Sequence, residues 1–176
     1  MFRMRTHDRQ SNTSRFWRIA AGSVAVSALL FGTVAGTADA AAASPATSPT
    51  ISSVSFGGTA GSGKASPTIT IDGSGFGSEP LGVPDNVTSC GTYTDNGDVY
   101  ENELSFLDVS NFRAGYSDNS GASCIGIKVQ SWSNNQVVLQ FGNAYGTFQH
   151  WYLSNGDSYD VYIWGYGWGG LVSGLS

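Results

Sequence analysis

The chain carries its most suggestive chemistry near its end, in an alternating run of aromatic residues. If residues 158–168 form one extended strand, Tyr159, Val161 and Ile163 share one face and have the character of core positions. The other face begins with two polar residues, Ser158 and Asp160, and continues as a row of rings: Tyr162, Trp164, Tyr166 and Trp168. Rigid rings give a large contact area at a small entropic cost. The pattern predicts a platform that stacks against sugar rings, with Asp160 available for hydroxyls and Trp151 as an extension.

Two alternatives to this platform stay open. The rings are also suited to packing in a second hydrophobic layer, or over the glycines of a neighbouring strand. The four glycines at 165, 167, 169 and 170 also suit a mobile tail. Whether Trp164 and Trp168 are exposed or buried distinguishes these interpretations, because a ligand platform must be exposed.

A second candidate is an acidic segment in the middle of the chain. Its members lie within nine positions around Asn96-Gly97: Asp95, Asp98, Glu101 and Glu103. Oxygen-rich acidic loops bind Ca²⁺ outside cells, where weak sites suffice. The spacing does not match an EF-hand loop, and a solvated acidic turn explains the same residues. We therefore expect no metal, with these four side chains as a weak calcium candidate.

For catalysis, the pair Glu101 and Glu103 is the only fair candidate. Two residues apart on a strand, they share a face at about 6.6 Å between Cα atoms, which overlaps the separations used in glycoside hydrolysis. Solvated strand positions show the same spacing without any chemistry. His150 is the one histidine after residue 40, and the sequence has no G-x-S-x-G nucleophile motif. The sequence predicts a non-catalytic protein without a cofactor.

The stretch Ile69–Gly77, ITIDGSGFG, places three glycines at alternate positions after a strand-like run. A dinucleotide-binding loop requires a later third glycine and a helix that begins there. Here Pro80 and Pro84 follow closely and disfavour a helix. The glycines are therefore predicted to form a tight corner, with Phe76 turned inward as an anchor.

The first forty residues predict a cleaved secretory signal. Five arginines precede an apolar or small-residue run over 19–34, and Ala38-Asp39-Ala40 provides an A-x-A cleavage pattern. An uncleaved membrane anchor is the alternative, but the run is short for a span of about 20 residues. Residues 41–48 have the composition of a flexible linker. Residues 49–176 then form one domain, which we expect to be secreted to the extracellular space.

Residues 41–176 contain three positive and eleven negative side chains, a net charge of −8. No basic patch remains to pair with phosphates, so nucleic acid and anionic lipid surfaces are excluded as partners. After signal cleavage we expect no membrane association. The expected partner is an extracellular carbohydrate or a cell-surface protein, and the oligomeric state stays open.

Cys90 and Cys124 are the only two cysteines. In an oxidising compartment, an even pair in a secreted domain is more often a disulfide than a catalytic or metal-binding pair. The sequence therefore predicts a Cys90–Cys124 bridge, with two free thiols as the alternative.

Short strand-like segments separated by glycine-rich turns run along the domain. They include residues 51–56, 68–71 and 104–107, and a hairpin over 124–141. No amphipathic run at helical spacing exceeds two turns. The pattern predicts an all-β sandwich with one core, and a closed barrel is the rival.

The first strand-like segments resemble a known family. Pro49–Val54, followed by Ile69–Gly77, is similar to the opening of the IPT/TIG family, with the pattern P-x-I-x-x-V, a gap and I-x-G-x-G/N-F. Residues 125–139 are similar to its segment of tryptophan, polar turn and apolar strand. Gly156–Val161 is similar to its G-D-x-Y-x-V entry to a late strand. The resemblance implies an immunoglobulin-like β-sandwich.

The resemblance also bears on function. Such domains are binding or spacer modules in cell-surface receptors, in transcription factors and beside secreted carbohydrate-active enzymes. Residues 78–123 are longer than the family's usual connection, and residues 165–176 are aromatic and glycine-rich instead of the usual last strand. We therefore predict non-catalytic recognition of carbohydrate through the aromatic row. A self-associating or protein-binding module is the alternative, and a small glycoside hydrolase is third.

Overall fold

The computed structural model describes residues 44–61, 63–85, 93–117, 124–147 and 150–176. The predicted signal peptide, the first linker residues and Cys90 lie outside the described residues. In the part of the chain that is described, no helix is long and apolar enough to cross a membrane.

Ten strands form two antiparallel sheets, and no helix occurs among the described residues. The strands are β1 (Thr50–Gly57), β2 (Thr68–Ser74), β3 (Val83–Pro84), β4 (Asp98–Val99), β5 (Leu104–Asp108), β6 (Phe112–Ala114), β7 (Ile127–Trp132), β8 (Gln136–Phe141), β9 (Ser158–Ile163) and β10 (Tyr166–Leu171). The six-stranded sheet has the order β1-β2-β8-β7-β4-β3, and the four-stranded sheet has the order β10-β9-β5-β6. The all-β prediction is confirmed, and two separate strand orders describe a sandwich rather than a closed barrel.

Alternation of apolar and polar residues explains the longer strands. On β2, Ile69 and Ile71 are fully buried, whereas the intervening Thr70 is partly exposed. The predicted hairpin is confirmed as β7 and β8, which pair along most of their length. In its turn the Ser133 N–H donates to the Gln136 carbonyl over 2.8 Å.

Aromatic rings from both sheets meet in the space between them. Phe106 on β5 stacks on Tyr159 of β9, with 5.6 Å between ring centroids. It also meets Phe141 of the other sheet edge to face at 5.2 Å. Each such pair adds about 0.5–1.5 kcal/mol to the effect of buried area. Because Tyr159, Val161 and Ile163 are all buried, their predicted place in the core is confirmed.

The glycine run after β2 forms the predicted corner. Gly75 and Gly77 adopt φ of 75° and 66°, in the left-handed region that favours glycine. Between them Phe76 is fully buried, as predicted. A Cβ at Gly73 would collide with the Thr50 carbonyl, so this position also needs glycine. The run therefore shapes the backbone.

Two local predictions are wrong. Residues 158–168 do not form one strand, because β9 ends at Ile163 and β10 returns from Tyr166. Glu101 and Glu103 are not on a strand but in the turn before β5, where the Glu103 N–H donates to the Tyr100 carbonyl. In both places the chain reverses at a non-glycine residue with positive φ, which sequence patterns seldom indicate.

Candidate functional site

The aromatic segment folds back on itself at Trp164-Gly165. These two residues adopt φ of 52° and 78°, the positive values that a tight two-residue hairpin turn requires. Tryptophan is unusual there, and three hydrogen bonds hold it. The Trp164 N–H donates to the Glu103 carbonyl (3.0 Å), its indole N–H to the Phe76 carbonyl (2.9 Å), and the Gly165 N–H to the Asn102 carbonyl (2.7 Å). Trp164 is therefore a fixed, half-buried corner.

The turn divides the predicted aromatic row between two faces. Residues directly opposite each other in antiparallel strands lie on the same face. Tyr166 is opposite Ile163 and Trp168 is opposite Val161, so both point to the core side of the sheet. Tyr166 and Trp168 remain 48% and 39% exposed because β10 is the edge strand of its sheet. The Tyr166 hydroxyl donates to Ser48 Oγ over 2.9 Å, which ties the ring to the segment before β1.

Trp168 is also tied to its surroundings. Burial raises the pKa of the hydroxyl of Tyr159, a core residue, and the nearby indole of Trp168 partly opposes this rise. The two rings of β10 are thus partly exposed edges of the core, and they do not continue the face that carries Tyr162.

Asp160 and Tyr162 lie on the outer face of the four-stranded sheet. We call this surface the tyrosine face, and it comprises Leu107, Arg113, Asp160, Tyr162, Gly167 and Gly169. Ser105, which is opposite Tyr162 in the sheet, is buried. The strand register places Gly167 beside Tyr162 and Gly169 beside Asp160. A Cβ on Gly167 would lie 2.8 Å from Cε1 of Tyr162, so the ring leans across β10 over that glycine. A Cβ on Gly169 would collide with Oδ1 of Asp160.

Arg113 adds a cation to the tyrosine face. It is opposite Leu107, which in turn is opposite Asp160, so the three form one row across β6, β5 and β9. Its guanidinium carbon lies 4.2 Å from the ring centre of Tyr116, a cation–π contact that restrains the side chain. The face therefore combines a partly exposed ring with a carboxylate and a guanidinium.

A second surface lies where the turn of residues 100–103 meets the β9–β10 turn. It is a cleft of about 290 Å³, which we call the tryptophan cleft, lined by Pro80, Leu81, Val83, Val99, Tyr100, Glu101, Glu103 and Trp164. Glu101 has a φ of 54°, and its carboxylate accepts a hydrogen bond from the Ser117 N–H at 3.2 Å. Both candidate glutamates therefore reach one cavity, although they do not lie on a strand.

An acidic pocket of about 560 Å³ shares Tyr100 with the tryptophan cleft. Its lining includes Tyr100, Lys128 and four carboxylates, Glu79, Asp85, Asp95 and Asp98. Burial, followed by the charge of Asp98, raises the pKa of Glu79 above its ordinary value. Burial also raises the pKa of the Tyr100 hydroxyl, with further contributions from Asp98 and Glu79. The pocket therefore has a net negative charge, because Lys128 neutralises only one of its four carboxylates.

The weak calcium candidate is dispersed in the fold. Asp95 forms an ion pair with Lys128 (2.6 Å), and Asp98 lies against Tyr100. Glu101 and Glu103 belong to the tryptophan cleft. Among the described residues no three His, Cys, Asp or Glu side chains are grouped so that they could hold a metal ion.

Two further predicted residues lie away from these surfaces. Trp151 is in the segment between β8 and β9, half-buried against the core. Cys124 is 2% exposed, and Cys90 lies outside the described residues, so their bridge stays a prediction. The sequence-based reasoning missed Leu81 and Val83, whose signal was an apolar residue on each side of Gly82 between two prolines.

No family model matches the chain, and no curated protein or solved structure is significantly similar to it. The IPT/TIG resemblance therefore stays a prediction.

Proposed function

We propose that the chain is a secreted, non-catalytic module of the IPT/TIG type that binds carbohydrate outside the cell through the tyrosine face. The observation that carries the proposal is the partly exposed ring of Tyr162, which leans over Gly167 with Asp160 on the same face. A ring restrained in this way is suited to stacking against a sugar. Asp160 and Arg113 provide an acceptor and donors for its hydroxyl groups.

The strand order supports the immunoglobulin-like part of the proposal. Immunoglobulin domains have strands A, B, E and D in one sheet and C, F and G in the other, with C′ joining the second sheet in variable-type domains. The order β1-β2-β8-β7 corresponds to A-B-E-D, and β10-β9-β5-β6 corresponds to G-F-C-C′. Strands β3 and β4 extend the first sheet within the segment that departs from the family pattern.

Secretion is supported by the basic and apolar start of the chain and its A-x-A pattern. In that compartment we propose the Cys90–Cys124 disulfide, which would close a loop of about 35 residues and contribute on the order of 3–4 kcal/mol. The near-complete burial of Cys124 fits a structural role. Mass spectrometry of the oxidised protein should find no free thiol, and reduction should lower the melting temperature; an unchanged melting temperature would refute a structural bridge.

Carbohydrate binding is tested with a glycan array and with pull-down on insoluble polysaccharides. The wild-type protein should be retained on at least one polysaccharide, and Tyr162→Ala should lose most of that retention. Trp168→Phe is the matched control, because Trp168 lies on the other side of the sheet. Absence of retention on every glycan, or equal retention of Tyr162→Ala, would contradict the proposal.

Self-association is the second candidate, and the composition of β10 favours it. Among the described strands, β10 pairs only with β9, and it carries no charge over Tyr166–Leu171. Tyr166, Trp168 and Leu171 expose 48%, 39% and 65% of their surfaces. An uncharged, apolar edge strand is a template for pairing with another strand.

Light scattering after size-exclusion chromatography tests this alternative. If it holds, the wild-type protein is a dimer and Leu171→Lys, which places a charge on the edge, is a monomer. A monomeric wild-type protein at micromolar concentration would rule out stable pairing through β10.

A further inference from the structure

The tryptophan cleft has the size and the walls for a single side chain. Its volume of about 290 Å³ is close to the lower limit of about 300 Å³ for ligand pockets. Leu81 and Val83 form part of its wall and expose 66% and 65% of their surfaces. Pro80, Val99, Tyr100 and Trp164 complete the wall beside the two glutamates. An apolar wall of this kind favours the aliphatic part of a ligand side chain over a fully polar group.

The cleft also carries two carboxylates without an internal counter-charge. In the described part of the chain the only ion pair is that between Lys128 and Asp95, so neither Glu101 nor Glu103 takes part in one. Residues 41–176 contain three basic side chains. Lys128 is in that ion pair, Arg113 lies over the ring of Tyr116, and the third is Lys64. Lys64 lines a different cavity. The charge of the cleft is therefore available to a ligand.

The two glutamates are held in place by the backbone. The Tyr100 and Glu101 N–H groups both donate to the Gly115 carbonyl, each over 2.9 Å. The Glu103 carbonyl accepts the Trp164 N–H, which joins the turn to the opposite wall. A non-glycine residue at positive φ costs about 1–3 kcal/mol, and these hydrogen bonds stabilise that conformation for Glu101. The cleft is thus preorganised, which lowers the entropic cost of binding.

The surroundings add to the negative potential. Glu79 and Asp98 lie just beyond Tyr100 in the acidic pocket, and their mutual repulsion contributes to the raised pKa of Glu79. With a net charge of −8 over residues 41–176, the whole domain attracts cations and repels anions. Charge complementarity therefore selects a positively charged ligand.

We propose that the tryptophan cleft binds a lysine or arginine side chain presented by a partner protein. The aliphatic stem packs against Leu81, Val83 and Trp164, and the cationic end meets Glu101 and Glu103 in charge-assisted hydrogen bonds. The site is separate from the tyrosine face, so a test of this proposal does not depend on whether the domain binds carbohydrate. It gives the domain a second partner, a protein segment with a basic residue.

The experiment is a titration of the ¹⁵N-labelled domain with capped five-residue peptides of glycine and serine. The central residue is arginine, lysine, norleucine or citrulline, and the signals of residues 99–103 and of the Trp164 indole N–H are followed. That indole N–H is a good reporter because it donates to the Phe76 carbonyl beside the cleft. We expect arginine and lysine peptides to shift these signals with saturation, at affinities at least tenfold above those of norleucine and citrulline peptides.

Two variants locate the site. Glu101→Gln with Glu103→Gln should weaken arginine-peptide binding at least tenfold at 0.15 M salt, whereas Asp160→Asn on the tyrosine face should leave it unchanged. If the double variant does not fold, Leu81→Lys serves instead, because that exposed side chain would place a cation at the cleft. The proposal is overturned if norleucine binds as well as lysine, or if these variants bind arginine peptides like the wild type. Shifts of the same signals by neutral oligosaccharides, with none by the peptides, would also overturn it.

Discussion

The tyrosine face and the tryptophan cleft lie on one small domain but are constructed differently. The face follows from strand register: Tyr162 and Asp160 are two positions apart on β9, and the glycines beside them on β10 leave them room. The cleft forms where two turns, each with a non-glycine residue at positive φ (Glu101 and Trp164), meet the segment of Pro80, Leu81 and Val83. The face therefore depends on the strands beside it, whereas the cleft depends on the backbone angles of two turns and on one apolar segment. The two surfaces should therefore respond to different substitutions.

The largest effect on stability is expected in the core beneath β5, on which both surfaces are built. Phe106 is fully buried and contacts rings from both sheets. Phe106→Ala should lower the free energy of unfolding by about 3–5 kcal/mol, through lost burial and the cavity that remains. Urea denaturation measures this change. Phe106→Leu is the control and should cost clearly less, because leucine fills part of the cavity; equal costs would mean that the loss comes from the ring contacts and not from the cavity.

A substitution on β10 should separate the face from the cleft. Gly167→Val would force the ring of Tyr162 to turn away, since a Cβ there meets the ring at 2.8 Å. Carbohydrate retention should fall about tenfold while peptide binding by the cleft is unchanged. Because the ring is partly exposed and valine favours strands, the free energy of unfolding should change by less than about 1 kcal/mol. Gly57→Val is the control, since a Cβ at Gly57 meets nothing within 4 Å. Unaltered retention by Gly167→Val would show that Tyr162 does not bind the glycan.

A substitution in the turn should affect only the cleft, and it should separate stability from binding. Glu101→Gly relieves a positive φ of 54° and should raise the free energy of unfolding by about 0.5–1 kcal/mol. It should also weaken binding of the arginine peptide, because one carboxylate is lost. Glu103→Gly, where φ is not positive, should instead lower stability by about 0.5–1 kcal/mol. Thermal and urea denaturation of both variants measure the difference, and the same sign for both would disprove strain at Glu101.

The smallest effect concerns pH and the acidic pocket beside the cleft. The pKa of Glu79 is raised from 4.5 by burial and by Asp98. Between 4.5 and the raised value, the folded protein holds more protons than the unfolded chain, so stability falls as pH rises through this window. Glu79→Gln removes the contribution and should make the decline above pH 4.5 shallower. Asp98→Asn should do so to a smaller extent, and unchanged slopes in both variants would contradict the assignment.

The sequence predicted the regular parts of the fold well. Alternating apolar residues and polar turns located β1, β2, β5 and the β7–β8 hairpin, and the glycine run indicated the corner that buries Phe76. The short strands β3, β4 and β6 were missed, because two or three residues carry no measurable period. β10 was predicted as a continuation of β9, since Trp164-Gly165 lacks the Asn-Gly or Asp-Gly signal of a tight hairpin.

The candidate site was predicted only in part. Asp160 and Tyr162 share an exposed face as the alternation implied, but Tyr166 and Trp168 do not, because the turn reverses the strand. The tryptophan cleft has walls from segments that are distant in the sequence, such as Leu81 and Trp164. No local pattern connects such positions, so only the tertiary structure brings them to one cavity.

Tyr100 has a consequence for how the two cavities work together. Its buried side chain lines both the tryptophan cleft and the acidic pocket. Truncating a buried side chain leaves a cavity that the surrounding residues fill only in part. A shorter residue at position 100 would therefore alter the walls of both cavities at once, so neither can be reshaped through this position alone.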